Sequence, residues 1–125
     1  IDSLNIHNAT LLAMKRAFCE LKSKFEAQFN GNCQLYVMVD GLFVPDIESA
    51  KIEAIVKGDD LIDEIKAASI IAKTARDRWM IRYSWIEQEY EFEKHKGYPT
   101  ARHRAIIGKI GPSAIQRKSF TVKTV

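Results

Sequence analysis

Two aspartates follow the two strongest strand patterns in the sequence. Asp40 ends the apolar run 34–39, and Asp59 lies 19 positions later, after a second strand pattern over 51–56 and a glycine. If the strands are parallel, both carboxylates emerge at the same edge of the sheet, where open α/β folds place their sites. Carboxylate oxygens at that edge suit Mg²⁺ or Mn²⁺. The spacing therefore allows a divalent-metal site containing Asp40 and Asp59.

Both aspartates also have ordinary structural interpretations. Asp40 precedes Gly41, a pair typical of turns, and Asp59 precedes Asp60 where a helical stretch begins and an aspartate often caps the helix. The connection 41–50 is short for a parallel crossover, and an antiparallel hairpin would put the two carboxylates at opposite ends of the strands. Spacing alone favours these structural interpretations.

The strand patterns alternate with helical ones, which predicts an α/β fold. The predicted elements are an amphipathic helix over 8–29 that stops at Asn30-Gly31, a strand covered on both faces over 34–39, a second strand over 51–56, a long helix over 61–90 with Trp79, Ile81 and Trp85 packed along it, and a helix over 100–110 capped by Thr100. Two strands make a marginal sheet, so we expect strands to be lacking. The start at Ile1 rather than Met agrees with a truncated or processed chain.

Composition predicts one globular domain. The chain has 125 residues, 46% of them hydrophobic, with no apolar run long enough to span a membrane and no signal-peptide pattern. Cys19 and Cys33 lack C-x-x-C spacing, so we expect them to be reduced and buried in a cytosolic protein.

Charge is divided sharply along the chain. Eight of the 19 Lys and Arg and none of the 16 Asp and Glu lie in residues 94–125, so the net charge is +8 there and −5 over residues 1–93. A basic end on an acidic body suggests a polyanionic partner, and a solvated helical tail is the equal alternative on charge alone.

Five strings in order resemble the motifs of type 2 ribonucleases H. They are Val39-Asp40-Gly41, Lys57-Gly58-Asp59, the run from Ala67 to Arg78, His95-Lys96-Gly97-Tyr98-Pro99-Thr100, and the run from Gly111 to Phe120. The opening helix is also similar to the one that precedes the third acidic residue of these enzymes. The resemblance covers almost the whole chain and implies a ribonuclease H-like fold with an incomplete sheet, its N-terminal strands missing, and a helical C-terminal part.

The resemblance implies an endoribonuclease that cleaves the RNA strand of RNA–DNA hybrids and incises at ribonucleotides embedded in DNA. Such enzymes use two divalent metals, Mg²⁺ or Mn²⁺, held by four carboxylates, of which Asp40 and Asp59 would be the third and fourth. The first two come from an Asp-Glu pair in a D-E-A-G-R-G-type segment that this sequence does not contain. We therefore expect the fragment alone to be inactive and to need the N-terminal segment of the same protein.

The same resemblance assigns a substrate-binding role to the C-terminal part. Tyr98 would contact sugars at the RNA–DNA junction, beside His95 and Lys96; the alternative is a partly buried structural tyrosine. By their charge, the candidates for phosphate contacts are Lys94, Lys96, Arg102, Arg104, Arg117 and Lys118. Two other predictions are structural: Asp77 pairs with Lys73 or a nearby arginine, and His103 is a surface or capping residue.

These expectations divide the chain into a partial catalytic core over 1–93 and a basic, helical substrate-binding segment of the same domain over 94–125. The expected location is the cytoplasm. Two alternatives stay open: a non-catalytic nucleic-acid-binding module that keeps the basic face, and a receiver-like domain in which Asp40 accepts a phosphoryl group.

Overall fold

A computed structural model describes residues 1–29, 34–48 and 50–117 of the chain. Its elements, in chain order, are helix α1 (Asn5–Phe29), strands β1 (Leu35–Asp40) and β2 (Ala50–Ile55), helices α2 (Gly58–Leu61) and α3 (Asp63–Tyr83), a 3₁₀ turn (Gln88–Tyr90), and helices α4 (Phe92–His95) and α5 (Ala101–Ile110). The chain divides into two compact units, Ile1–Ala68 and Ser69–Val125. None of the helices in the described ranges is long and apolar enough to cross a membrane. The predicted α/β class is confirmed.

The two strands are parallel, which settles the alternative that the sequence left open. Leu35 lies opposite Ala50, and Asp40 lies opposite Ile55. A connection without a helix is sufficient because a six-residue strand is only about 20 Å long, whereas nine extended residues reach about 30 Å. The short connection therefore returns the chain to the start of β2 in the same direction as β1.

Helix α1 presents one half-buried stripe to the rest of its unit, as predicted. Leu11, Met14, Phe18 and Phe25 are half-buried, whereas Leu21 is 65% exposed and lies outside the stripe. Lys15 Nζ forms an ion pair with Asp46 Oδ2 at 3.0 Å, which ties the helix to the connection between the strands. The predicted helix stop at 30–31 lies outside the described residues.

The long helix predicted over 61–90 is wrong at both ends. Ile62 is extended (φ −127°, ψ 120°) and separates the single turn of α2 from α3. Helix α3 ends at Tyr83, directly before Ser84, whose hydroxyl donates to the carbonyl of Ile81 at 2.6 Å. A serine hydroxyl that donates to a backbone carbonyl competes with the hydrogen bonds of the helix, and this competition favours the end of the helix.

Several residues predicted to be buried are exposed. Trp79 and Trp85 are 52% and 74% exposed and Ile81 is also exposed, although the Trp79 ring stacks on Tyr83. Cys19 is a free, exposed cysteine because it lies one position, about 100° around α1, from the half-buried Phe18. Cys33 lies outside the described residues. Strand β1 is covered only in part, since Val39 is buried and Tyr36 is exposed.

The second unit has an aromatic core. Met80, Tyr90 and Phe92 are buried together, and Ile106 and Ile107 of α5 pack against them. The Tyr90 hydroxyl donates to the carbonyl of Gly111 at 3.0 Å, which holds the end of α5. At its other end α5 begins as predicted, because the Thr100 hydroxyl accepts the backbone N–H of His103.

A close approach at Gly58 fixes the start of α2 against the sheet. Gly58 is buried, and a Cβ built on it would lie 2.6 Å from Ile65 Cδ1 and 3.5 Å from both Ile55 Cβ and an Asp40 carboxylate oxygen. Since Ile65 is itself buried, its side chain has little room to turn away. Only glycine fits this position without displacing a neighbour.

Gly58→Ala should lower the free energy of unfolding by about 1–2 kcal/mol because the added methyl group overpacks this contact. Gly108→Ala is the matched control: Gly108 is exposed inside α5, where alanine is favoured over glycine by about 0.5–1 kcal/mol. Urea unfolding of both variants measures the two changes. A Gly58→Ala chain as stable as the parent would contradict the close approach.

Candidate functional site

Asp40 lies at the carboxyl end of β1, and its side chain reaches across to the end of β2. Its Oδ1 accepts the backbone N–H of Gly58 at 2.8 Å, and Gly41 N–H donates to the Ile55 carbonyl at 2.9 Å. Because Asp59 follows Gly58 directly, the hydrogen bond sets the Asp40 carboxylate next to the backbone that carries Asp59. The parallel register thus brings both predicted aspartates to one edge.

The local backbone argues against the purely structural uses of these aspartates. The N-cap of α2 is Lys57, in the left-handed conformation (φ 56°, ψ 40°), and Asp59 lies inside the first helical turn. Asp40 is the last residue of a strand, and its side chain bonds to Gly58 rather than to the turn that begins at Gly41. Both residues are exposed, so neither carboxylate is committed to the protein core.

Carboxylate oxygens at this edge would suit a hard divalent cation. Asp40 and Asp59 are the two residues that could hold such an ion. Over residues 1–29, 34–48 and 50–117 there is no cluster of three or more His, Cys, Asp or Glu side chains suited to a metal.

A shallow groove of about 180 Å³ adjoins Asp40. Helix α1 contributes His7, Thr10, Leu11 and Met14 to its walls, and the segment after β1 contributes Gly41, Leu42 and Phe43. The His7 ring meets the edge of Phe43 at a centroid distance of 4.5 Å. The carboxylate edge is thus open on one side to an accessible, mostly apolar surface.

Tyr98 lies in the second unit, on a left-handed turn that follows α4. Lys96 and Gly97 have φ values of 52° and 77°, and the Tyr98 N–H donates to the His95 carbonyl at 2.8 Å. The ring is 46% exposed, with the guanidinium carbon of Arg76 4.8 Å from its centroid. An exposed aromatic ring beside a cation is suited to contact with a sugar–phosphate chain.

His95 is buried next to this turn, and both of its ring nitrogens bond to the chain. Nε2 lies 2.7 Å from the Tyr90 carbonyl, and Nδ1 accepts the Gly97 N–H at 3.1 Å. Burial is the main cause that lowers the pKa of His95 from its ordinary value, with smaller opposing contributions from the Tyr90 carbonyl and nearby acids. Burial and the Gly97 N–H on Nδ1 therefore both favour the neutral form of His95.

His103 is buried, which corrects the prediction of a surface position. Its backbone N–H is indeed part of the α5 cap, but its ring stacks on His95 at a centroid distance of 4.1 Å. A lone histidine on a helix gave no sequence signal for this contact, because its partner lies in another element.

The basic residues of the C-terminal part differ in their exposure and in their contacts. Glu91 accepts two hydrogen bonds from Arg102 and forms an ion pair with Lys94 at 3.3 Å. The hydrogen bonds from Arg102, and to a smaller extent the contact with Lys94, lower the pKa of Glu91 to about 2. Lys96 donates to the Glu93 carbonyl, and Arg104 is half-buried. Arg117 is exposed, and Lys118 lies outside the described residues. The predicted pairing of Asp77 with an arginine is confirmed, since Arg76 lies 3.6 Å from it.

The motifs and the geometry agree with a family comparison. The model of the family described as ribonuclease HII matches residues 1–123. This chain belongs to the ribonuclease HII family. The predicted resemblance is confirmed, and with it the assignment of the α/β fold to an incomplete ribonuclease H-like sheet.

Individual ribonuclease HII proteins match at about half identity. That of Treponema denticola is 50% identical over 130 residues, which cover 100% of this chain and 66% of the relative. Those of Borrelia duttonii and Borreliella burgdorferi are 51% and 50% identical over 120 residues, covering 96% of this chain and 61% of each relative. The chain thus spans about three fifths to two thirds of the length of these relatives.

Three residues of this ribonuclease HII chain contact the predicted site residues although their sequence positions did not mark them as partners. Gly58 holds Asp40, Arg76 lies over Tyr98, and His103 stacks on His95. Gly58 lies in the motif Lys57-Gly58-Asp59, so its position next to Asp59 is visible in the sequence. Arg76 and His103 are separated in sequence from the residues they contact, and only folding brings each pair together.

Asp40→Asn should change the free energy of unfolding by no more than about 0.5 kcal/mol, because the amide oxygen can still accept the Gly58 N–H. Asp40→Ala should lower the free energy of unfolding by about 1 kcal/mol, since the Gly58 N–H then has no side-chain acceptor. Urea unfolding of the two variants provides the measurement. Equal stabilities would show that the Asp40–Gly58 hydrogen bond does not hold this edge together.

Acidification from about pH 7.5 to about pH 5.5 should reduce the free energy of unfolding. The folded chain holds the pKa of His95 below its ordinary 6.5, so the stabilisation is fully present above pH 6.5 and is lost as the pH falls toward the lowered pKa. The effect of Glu91 belongs to a lower range, since its pKa falls from 4.5 to about 2.

His95→Gln is the matched variant, because its amide nitrogen can still donate to the Tyr90 carbonyl but does not titrate. Urea midpoints at the two pH values should fall further in the parent than in His95→Gln. The same fall in both chains would mean that His95 is not the group responsible.

Proposed function

We propose that the protein containing this chain is an endoribonuclease that cleaves the RNA strand of RNA–DNA hybrids and incises at ribonucleotides embedded in DNA. Membership of the ribonuclease HII family supports the nuclease class. The observation that carries the site is the hydrogen bond from Gly58 N–H to Asp40 Oδ1 across a parallel strand pair. It puts two carboxylate-bearing positions at the edge where α/β folds do chemistry.

Asp40 and Asp59 would hold Mg²⁺ or Mn²⁺, as the third and fourth carboxylates of a two-metal site. An ionised carboxylate has about four lone-pair positions, so the hydrogen bond from Gly58 leaves Asp40 free to bind a cation as well. When bound, two such ions supply an activated water and stabilise the departing oxygen of the phosphodiester. The hydrogen bond from Gly58 orients Asp40 for this task.

The second unit would bind the nucleic acid. Tyr98 is the proposed contact to the sugars, supported by its exposed ring, and Lys96 and Arg117 are proposed phosphate contacts together with Lys118. His95 lies in the same motif as Tyr98 but is buried, with both ring nitrogens bonded to the chain, so it is not proposed as a direct contact to the nucleic acid. In this scheme residues 1–93 act as a partial catalytic core and residues 94–125 as the basic substrate-binding segment of one domain, in a protein that works in the cytoplasm.

The chain alone is proposed to be inactive. Two carboxylates hold a hydrated Mg²⁺ weakly, because this ion demands nearly ideal octahedral geometry and loses its waters reluctantly. The remaining pair would come from an N-terminal segment of the same protein. The relatives are longer than this chain and so have room for such a segment.

The test is cleavage of a duplex with one embedded ribonucleotide in the presence of Mn²⁺. This chain is assayed alone and joined to the N-terminal segment of the Treponema denticola relative. We expect no cleavage by the chain alone, cleavage by the joined protein, and a loss of at least about 100-fold in the joined Asp40→Asn protein, since replacing a metal ligand should exceed the 10- to 100-fold effects of ligand-supporting residues.

Asp40→Asn is informative because it keeps the hydrogen-bonding geometry and removes the charge. Cleavage by the chain alone would overturn the claim that the further acids are needed. A joined protein that binds the duplex but never cleaves it would support the alternative of a non-catalytic nucleic-acid-binding module. The receiver-like alternative finds no support in the family comparison.

A further inference from the structure

The two buried histidines of the second unit form a stacked pair at the base of the Tyr98 turn. His95 ends α4 and His103 lies in the first turn of α5, with ring planes inclined by 16°. The buried Phe92 ring meets both imidazoles at steep angles, at centroid distances of 5.7 and 5.8 Å. Aromatic contacts on this side therefore restrict the rotation of both rings.

The hydrogen bonds define one tautomer for each ring. The Tyr90 carbonyl only accepts, so His95 Nε2 carries a proton, and its Nδ1 is then free to accept the Gly97 N–H. The Tyr98 carbonyl likewise requires a proton on His103 Nδ1, 3.0 Å away. His103 Nε2 is buried and has no hydrogen-bond partner among the residues that the structure describes. Each imidazole thus directs one nitrogen to the turn.

The two bonds fall on either side of the Tyr98 α-carbon. His95 holds the Gly97 N–H just before Tyr98, and His103 holds the carbonyl of Tyr98 itself. The turn needs such support because Lys96, a residue with a side chain, adopts a left-handed conformation that costs energy. Fixing the backbone on both sides fixes the direction in which the Tyr98 side chain leaves it.

We propose that His95 and His103 are positioning residues that aim the Tyr98 ring at the substrate, and that His95 acts through this turn rather than by touching nucleic acid. The inference rests on the proposed role of Tyr98 in substrate contact. If His95 and His103 served only for packing, two apolar side chains could take their places. Positioning of Tyr98 explains why polar rings lie there.

His103→Asn and His103→Gln test the proposal as a matched pair. The asparagine amide nitrogen stands near the position of Nδ1 and can donate to the Tyr98 carbonyl, whereas the glutamine amide reaches toward the position of Nε2. Both variants lose the ring stack. Glutamine is a better helix former than asparagine. If His103 served only helix stability, His103→Gln should therefore retain more activity than His103→Asn.

The kinetic readout is kcat/KM for the embedded-ribonucleotide duplex, measured on the joined protein. We expect His103→Asn to stay within about threefold of the parent and His103→Gln to lose about 10- to 100-fold, the scale of a misplaced substrate contact. In a Tyr98→Ala background the same His103→Gln change should cost less than about threefold, because the ring it positions is gone. Equal losses in both backgrounds, or no advantage of Asn over Gln, would overturn the proposal.

The outcomes separate this inference from the proposed function. If Tyr98→Ala leaves kcat/KM unchanged, the substrate role of Tyr98 fails whatever the histidine variants do. A second measurement needs no activity: the aromatic NMR signals of Tyr98, labelled in this chain, should keep their parent positions in His103→Asn and shift in His103→Gln. Unchanged signals in both variants would refute positioning of the ring.

Discussion

The hydrogen bond from Gly58 to Asp40 connects every part of the candidate metal edge. It requires parallel strands, since only then do the ends of β1 and β2 lie side by side. It also requires a residue without a side chain at the start of α2, because a Cβ there would lie 2.6 Å from Ile65 Cδ1. Strand direction, glycine placement and carboxylate orientation therefore depend on one another.

The second unit presents the exposed ring of Tyr98 on a short turn in which Lys96 has a left-handed backbone. Its buried core consists of Met80, Tyr90 and Phe92, and Met80 lies close to Gly97 of that turn. The two buried histidines bond to the backbone at Gly97 and Tyr98. Arg76 covers one side of the ring. The exposed part of Tyr98 is thus supported by buried neighbours, as a binding residue on a loop requires.

Ion pairs with Glu91 limit what the net charge of residues 94–125 predicts about binding to a polyanion. Lys94 and Arg102 both contact Glu91, which lies just before the segment that lacks acids. Local ion pairs therefore offset part of the +8 charge that the sequence assigns to residues 94–125. Screened surface pairs of this kind contribute little to stability.

The sequence by itself determined the α/β class, the first helix, both strands and the cap of the last helix, because each depends on periodicity or on residues within four positions of one another. It also singled out Asp40, Asp59 and Tyr98, through ordered motifs. Only the tertiary structure decided that the strands are parallel, that the helix after Asp59 is broken at Ile62 and ends at Tyr83, and that His103 is buried while Trp85 and Cys19 are exposed. These outcomes depend on contacts between residues far apart in the chain, such as His95 with His103 and Arg76 with Tyr98, and no local pattern encodes them.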